Sequence, residues 1–165
     1  MKKILFLVIS VIIGVLVYRK SDEIIIPNDA IRVRIIANSN NIKDLYEKKI
    51  LKDAIKKDLY DLVKEAKSSY EASVSIKNSM DDIRKIISSK TNDFSINYGT
   101  NYFPKKVYKG VVYPKGEYES LVITLGSGLG DNWWCVLYPP LCMIEDNNNT
   151  SNVEYQLMIK KLLNL

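Results

Sequence analysis

The spacing of hydrophobic and polar residues changes from stretch to stretch along the chain, and each spacing predicts an element. Lys2 and Lys3 are followed by an uninterrupted uncharged run from Ile4 to Tyr18, the pattern of a basic and then apolar export leader. After a polar stretch with Pro27, the segment Ile31 to Ala37 (IRVRIIA) alternates apolar and basic residues and then turns fully apolar, which predicts a strand with one covered face. Asn38, Ser39, Asn40 and Asn41 form a polar cluster suited to a turn and a helix N-cap. From Ile42 to Ala66 the positions Ile42, Leu45, Tyr46, Ile50, Ala54, Ile55, Leu59, Leu62, Val63 and Ala66 recur at three- and four-residue spacing, predicting a long amphipathic helix. Ser68 followed by Glu71 fits a capping box. Ala72, Ile76, Met80, Ile83 and Ile87 then make a second helical stripe, so the two segments are expected to pair as a hairpin.

Beyond Asp93 the period shortens. FSINY, FPKKVY, VVYPKGEYESLVITL and WWCVLYPPL are rich in β-branched and aromatic residues and broken by Gly and Pro, predicting three to five mostly antiparallel strands. Glu145 to Asn152 reads as a polar loop, and Tyr155, Ile159, Leu162 and Leu163 predict a closing C-terminal helix. The expected fold is α+β: one two-layer domain over residues 30–165, a linker at 21–29, and a leader at 1–20.

Composition changes this picture in three places. The net charge of +5 suggests nucleic acid at first sight, but the leader and its flank (Lys2, Lys3, Arg19, Lys20) hold four of the bases, leaving 20 bases against 19 acids elsewhere. Those charges are mixed along the predicted helices rather than clustered, so no nucleic-acid partner is expected. No A-x-A-like site follows the apolar run, so the leader reads as an uncleaved anchor, with a cleaved signal peptide as the alternative. As a helix the run from Ile4 to Tyr18 would reach only about 22 Å, short of the roughly 30 Å hydrocarbon core, so a span must recruit neighbours or thin the bilayer. Cys135 and Cys142 lie in a segment expected outside the cytoplasm, where they are either disulfide-bonded or two buried thiols.

Candidate chemistry is sparse. The chain has no histidine, which removes the commonest general base, the usual serine triad and most catalytic zinc sites. The acids lie mostly on amphipathic helices, where a solvated face explains them. Gly126, Gly128 and Gly130 (LGSGLGDNWW) look like a phosphate-cradling loop, but a strand rather than a helix is expected to follow, so they read as a connection with Gly supplying positive φ. In Asn132 to Cys142 (NWWCVLYPPLC) the two adjacent tryptophans must point to opposite faces of a strand. One of them is thus available to a partner unless a second layer covers that side.

Three segments, in this order, resemble the stage II sporulation protein R family: the apolar leader, IRVRIIANSN (Ile31 to Asn40), and FPKKVYKGVVYPKGEYESLVITLGSGLGDNWWCVLYPPLC (Phe103 to Cys142). The resemblance covers nearly the whole exported part, the two helices matching in pattern more than in letters. It implies a signal made in the forespore and exported into the space between the two sporulation membranes, tethered to the forespore membrane or free. Its implied partner there is a membrane-embedded aspartic protease of the mother cell, which it activates to remove the pro-sequence of sigma-E. It implies no enzyme activity, cofactor or small-molecule substrate. Candidate contact residues are Asn38, Ser39, Glu117, Glu119, Asp131, Asn132, Trp133 and Trp134. Each has a structural alternative: Asn38 and Ser39 as helix caps, the tryptophans as core. A rival is an exported cell-wall enzyme using Glu117, Glu119 or Asp131; another is a membrane-surface protein anchored by the aromatics of WWCVLY.

Overall fold

The computed structural model describes residues 24–145 and 151–165; the leader at 1–20, residues 21–23 of the linker and residues 146–150 of the polar loop lie outside the described residues. The chain forms β1 (Ile24–Ile25), β2 (Ile31–Ile36), α1 (Ile42–Val63), α2 (Ser69–Asn78), α3 (Met80–Ser88), β3 (Phe94–Phe103), β4 (Lys106–Tyr108), β5 (Val111–Tyr113), β6 (Gly116–Leu125), β7 (Asn132–Tyr138), α4 (Cys142–Glu145) and α5 (Asn152–Leu163). The fold is α+β, as its sequence pattern predicts, and the closing helix is present.

The main sheet has the order β3-β6-β2-β7. IRVRII explains why β2 lies inside it: Ile31, Val33 and Ile35 face α1, α2 and α3 and are fully buried, while Arg32, Arg34 and Ile36 point to the other side. β2 pairs in parallel with β6 and antiparallel with β7, and β3 pairs antiparallel with β6 over ten positions. The helical layer and this sheet enclose one core, which includes Leu51, Ile55, Ile76, Ile87, Leu121 and Ile123.

A smaller sheet, β1-β5-β4, and α5 cover the other face at one end of the main sheet, closing a second core around Phe103, Tyr118, Val136, Tyr155 and Ile159. This end holds the start of β2, the start of β6 and the finish of β3. The stretch read as a linker therefore contributes β1, and Ile24 and Ile26 are buried. The β4–β5 connection is Lys109 and Gly110, with φ of 48° and 80°; two successive positive φ values are what a two-residue hairpin turn of matching twist requires.

The helices differ in detail from their expected stripes. On α1, Ile42, Tyr46 and Ile50 are 88%, 61% and 41% exposed, and the core face is Leu51, Ile55, Leu59 and Val63. The segment offers apolar residues on opposite sides of one helix, and the sheet takes only the side carrying Leu51. The second stripe is split at Ser79, where Ile76 and Lys77 carbonyls accept its N–H and end α2 before α3 begins. Ala72, Ile76, Ile83 and Ile87 are buried all the same. Ser68 caps α2 through the Glu71 N–H, and Ser151 with Glu154 forms a full capping box on α5.

Cys135 on β7 and Cys142 at the start of α4 are joined in a disulfide, with Cα atoms 5.5 Å apart, and both residues are buried. Closing so short a loop restricts the unfolded chain modestly, so replacing both cysteines by alanine is expected to lower stability by about 2 kcal/mol. Urea unfolding of the two proteins would measure the difference.

Candidate functional site

The strand order dictates where the glycine loop goes. β6 and β7 flank β2, so residues 126–131 must cross over the end of β2, where Ala37 to Asn41 turn into α1. The crossing is hydrogen-bonded throughout. Asn38 Oδ1 accepts from the Ser127 N–H (2.9 Å) and the Ser127 hydroxyl (2.9 Å), and the Asn38 carbonyl accepts from the Leu129 N–H (3.0 Å). The Gly130 N–H donates to the Ala37 carbonyl (2.9 Å), Asn40 Oδ1 accepts from the Asp131 N–H (2.7 Å), and Lys48 Nζ donates to the Asp131 carbonyl (2.8 Å). The loop approaches too closely for side chains. A Cβ on Gly126 would lie 2.3 Å from Asn38 Oδ1 and one on Gly130 2.4 Å from the Ser39 carbonyl oxygen. Gly126 and Gly128 also have positive φ, as the sequence predicts for this connection.

Asp44, one turn into α1, ties the turn together from below. Its Oδ2 accepts from the Ser39 hydroxyl (2.6 Å), Asn38 Nδ2 (2.8 Å) and Asn41 Nδ2 (3.0 Å), and its own N–H donates to Asn41 Oδ1 (2.8 Å), which is the N-cap of the helix. The Ser39 hydroxyl foremost, then the two amides, hold its carboxyl below the usual range despite its burial. A folded-state pKa below the unfolded one stabilises at pH above about 4, and that stabilisation is lost as pH falls through the folded value. Asp44→Asn is therefore expected to be less stable than the parent at pH 7, with the gap narrowing toward pH 3; thermal melts across that range would show it.

Of the sequence-predicted residues, Asn38, Ser39, Asp131 and Asn132 are brought together at this end. Asn132 Oδ1 accepts from Arg34 Nε (2.9 Å), and the Arg34 guanidinium stands 4.6 Å from the Trp134 ring centre. Trp133 and Trp134 do point to opposite faces. Trp133 packs against the helix-side core, and Trp134 meets Phe103 edge-on at 5.1 Å, each remaining half-buried.

Glu117 and Glu119 lie elsewhere, near the start of β6. Glu117 is exposed across from Tyr102. Glu119 accepts from the Ser73 hydroxyl (2.6 Å) and pairs with Lys77 Nζ (2.9 Å), at the wall of a cleft of about 310 Å³ that Asp29, Ser69 and Tyr70 also line. Burial pushes its carboxyl up, but Ser73 and Lys77 outweigh that and hold it below the usual range. Burial pushes the adjacent Tyr98 phenol up to about 12. The three carboxylates named as catalytic candidates are thus split between the two ends of β6, with Asp131 beyond its finish. Among the described residues, no group of three or more His, Cys, Asp or Glu could hold a metal ion.

Sequence reasoning missed Asp44, Ser127 and Leu129. Asp44 was legible as an acid in the first turn, three residues after an asparagine cap. Ser127 and Leu129 carry no local signal, since their partner Asn38 is 89 residues away from Ser127 in sequence.

The family model for stage II sporulation protein R matches residues 27–148, a span that contains the whole β2–α1 turn and the glycine loop. The stage II sporulation protein R of Bacillus subtilis (strain 168) is 37% identical over 143 residues, covering 83% of this chain. The chain spans 64% of that relative's length. No solved structure matches. With the fold's two most distinctive segments meeting in one hydrogen-bonded junction and the family model spanning both, this chain belongs to the stage II sporulation protein R family.

Proposed function

We propose that this protein is an exported, non-enzymatic signal that leaves the forespore and activates the membrane-embedded aspartic protease that processes pro-sigma-E in the mother cell. Family membership supports a sporulation role. The observation that carries the finer reading is the surface of the junction just described. Leu129 on the glycine loop is 81% exposed, and Ile42 and Tyr46 on the first turns of α1 are 88% and 61% exposed at the same end. These apolar side chains do nothing for the interior, while the backbone that presents them is fixed by the Asn38, Asn40 and Asp44 bonds. A rigid apolar rim of this kind fits a protein partner. Activation requires that the protease's active state bind it better than the inactive one. The cell-wall hydrolase reading finds less support, since Glu119 is engaged by Ser73 and Lys77, Asp131 lies at the other end of the sheet, and Glu117 stands exposed across from Tyr102.

The test is co-expression of this protein, its cognate protease and pro-sigma-E in a non-sporulating bacterium, scoring cleavage by immunoblot with and without the leader. Cleavage is expected only when the protein is present and exported. Failure with folded, exported protein and a competent protease would remove the activator reading. In the same assay Leu129→Asp is expected to cut cleavage about tenfold, the effect of losing one contact of roughly 1.4 kcal/mol, with no change in melting temperature.

A further inference from the structure

We propose that the free edge of β3 pairs antiparallel with β3 of a second copy of this chain, joining the two main sheets across a two-fold axis at Gly99. β3 ends the main sheet, and among the described residues it pairs with β6 alone. It runs ten residues, FSINYGTNYF, with no charge and no proline, and its ladder to β6 is continuous from Phe94 to Phe103 without a bulge. Sheet edges left to solvent are ordinarily shortened, bulged, charged or broken by proline. β7, at the other edge, is shorter, has a register shift against β2 and runs directly into Pro139. On the helix side Lys77 lies over the Tyr98 ring, its ammonium 5.6 Å from the centre, and pairs with Glu119. It stands above the sheet, not beside it.

The direction of the backbone groups fixes which residues the edge offers. The Gly99 carbonyl accepts from the Ser120 hydroxyl of β6, and the Asp93 carbonyl from the Gly126 N–H just past β6. Along an antiparallel strand the N–H and C=O of one residue point the same way and alternate from residue to residue. Odd positions therefore address β6, and Phe94, Ile96, Tyr98, Thr100 and Tyr102 direct theirs to the open side.

Self-complementarity makes a second copy the occupant. A two-fold axis through Gly99 sets Tyr98 against Thr100 of the second copy and Ile96 against its Tyr102, all positions with outward backbone groups, for about eight hydrogen bonds. Tyr102 is 59% exposed and Ile96 half-buried in the single chain, so the pairing covers apolar surface on the helix face. On the opposite face Asn97 meets Asn101 of the second copy. At the two ends of the ladder the same register brings Asp93 to Lys105 of the second copy and Lys105 to its Asp93, both exposed residues. Opposite charges thus meet twice, and the axis falls on the one strand residue that has no side chain to clash with itself. A two-fold contact uses the edge once and closes, so it yields a dimer and not a fibre.

The test uses the full chain in detergent micelles. Cys135 and Cys142 are bonded to each other, so Gly99→Cys supplies a single free thiol on the axis. A Cβ there meets only the Asn97 side chain, at 3.7 Å, and directly opposed residues of a non-hydrogen-bonded pair lie close enough for a disulfide. Ser95→Cys, exposed on the same face, is the control, since its two copies would stand about 27 Å apart. Mild oxidation and a non-reducing gel are expected to give covalent dimer with Gly99→Cys and none with Ser95→Cys. In the Gly99→Cys background, Asp93→Lys alone or Lys105→Asp alone sets like charges together at both ends and is expected to lower the dimer yield about fivefold, and the two combined to restore it. Thr100→Pro removes one outward N–H, which an edge strand tolerates, and is expected to abolish the dimer. Thermal melts identify the variants that remain folded. Equal cross-linking at positions 95 and 99, none at 99 in folded chain, or a double charge exchange no better than either single one would overturn the pairing.

Discussion

Phe103→Ala is expected to lower stability by about 4 kcal/mol, close to half of what a domain of this size commonly has. The ring is fully buried at the end of β3, with Tyr118 edge-on at 6.0 Å and Trp134 edge-on at 5.1 Å. The Arg32 guanidinium, on a residue only 2% exposed, lies 4.3 Å from its centre. Truncation forfeits the transfer energy of the ring, leaves a cavity that β-strands on either side cannot collapse, and strips one face from the Arg32 cation. Tyr118 and Tyr113 remain 5.0 and 5.8 Å from that cation and soften the last loss. Tyr102→Ala is the control. That side chain is 59% exposed on the other face of the same strand, and its removal should cost no more than about 0.5 kcal/mol. Urea midpoints of the three proteins decide the matter. Equal midpoints for Phe103→Ala and Tyr102→Ala would mean the second core is not cooperative with the first.

A single methyl group at Gly130 is expected to cost about 3 kcal/mol. Its Cβ would stand 2.4 Å from the Ser39 carbonyl oxygen, 2.6 Å from the Ser39 carbonyl carbon and 2.8 Å from the Ala37 Cβ. Two of those atoms are backbone at the entry to α1, which the Asn41 cap and Asp44 hold in place, so relief must come from opening the junction. Gly99→Ala provides the comparison, because a Cβ there meets only the Asn97 side chain at 3.7 Å and should be tolerated. On the activator reading proposed above, Gly130→Ala is also expected to lose protease activation at temperatures where it is still folded, since Leu129 moves with its neighbour. A variant that melts low but activates normally would separate the junction from the partner surface.

Much of this fold could be read from local pattern, because the pattern and the packing coincide. IRVRII alternates and lies between two strands; Ser68 and Ser151 each precede an acid by three residues and both cap helices. Where sequence reading went astray, one stretch satisfied two geometries. Ile50 and Leu51 are adjacent on α1 and equally apolar, and only the position of the sheet decides that Leu51 is buried and Ile50 is 41% exposed. The parallel pairing of β2 with β6 had no local trace either, since Val33 and Leu121 meet across most of the chain. The same distance hid the junction. Its two halves were recognisable separately as a polar turn and a glycine loop, and the strand order alone brings Asn38 onto Ser127.

β2 also fixes a direction. Its first residue, Ile31, leaves the small sheet's end and its last, Ile36, delivers the chain to the rim that carries Leu129, six residues or about 20 Å away. On the tethered-activator reading proposed above, an amino terminus fastened to a membrane would leave that rim at the end of β2 remote from the tether. The partner is then met by sliding in two dimensions at a high effective concentration rather than by a three-dimensional search from any angle. On the activator reading proposed above, a tethered chain would then need fewer copies than a free one to reach the same occupancy of its partner.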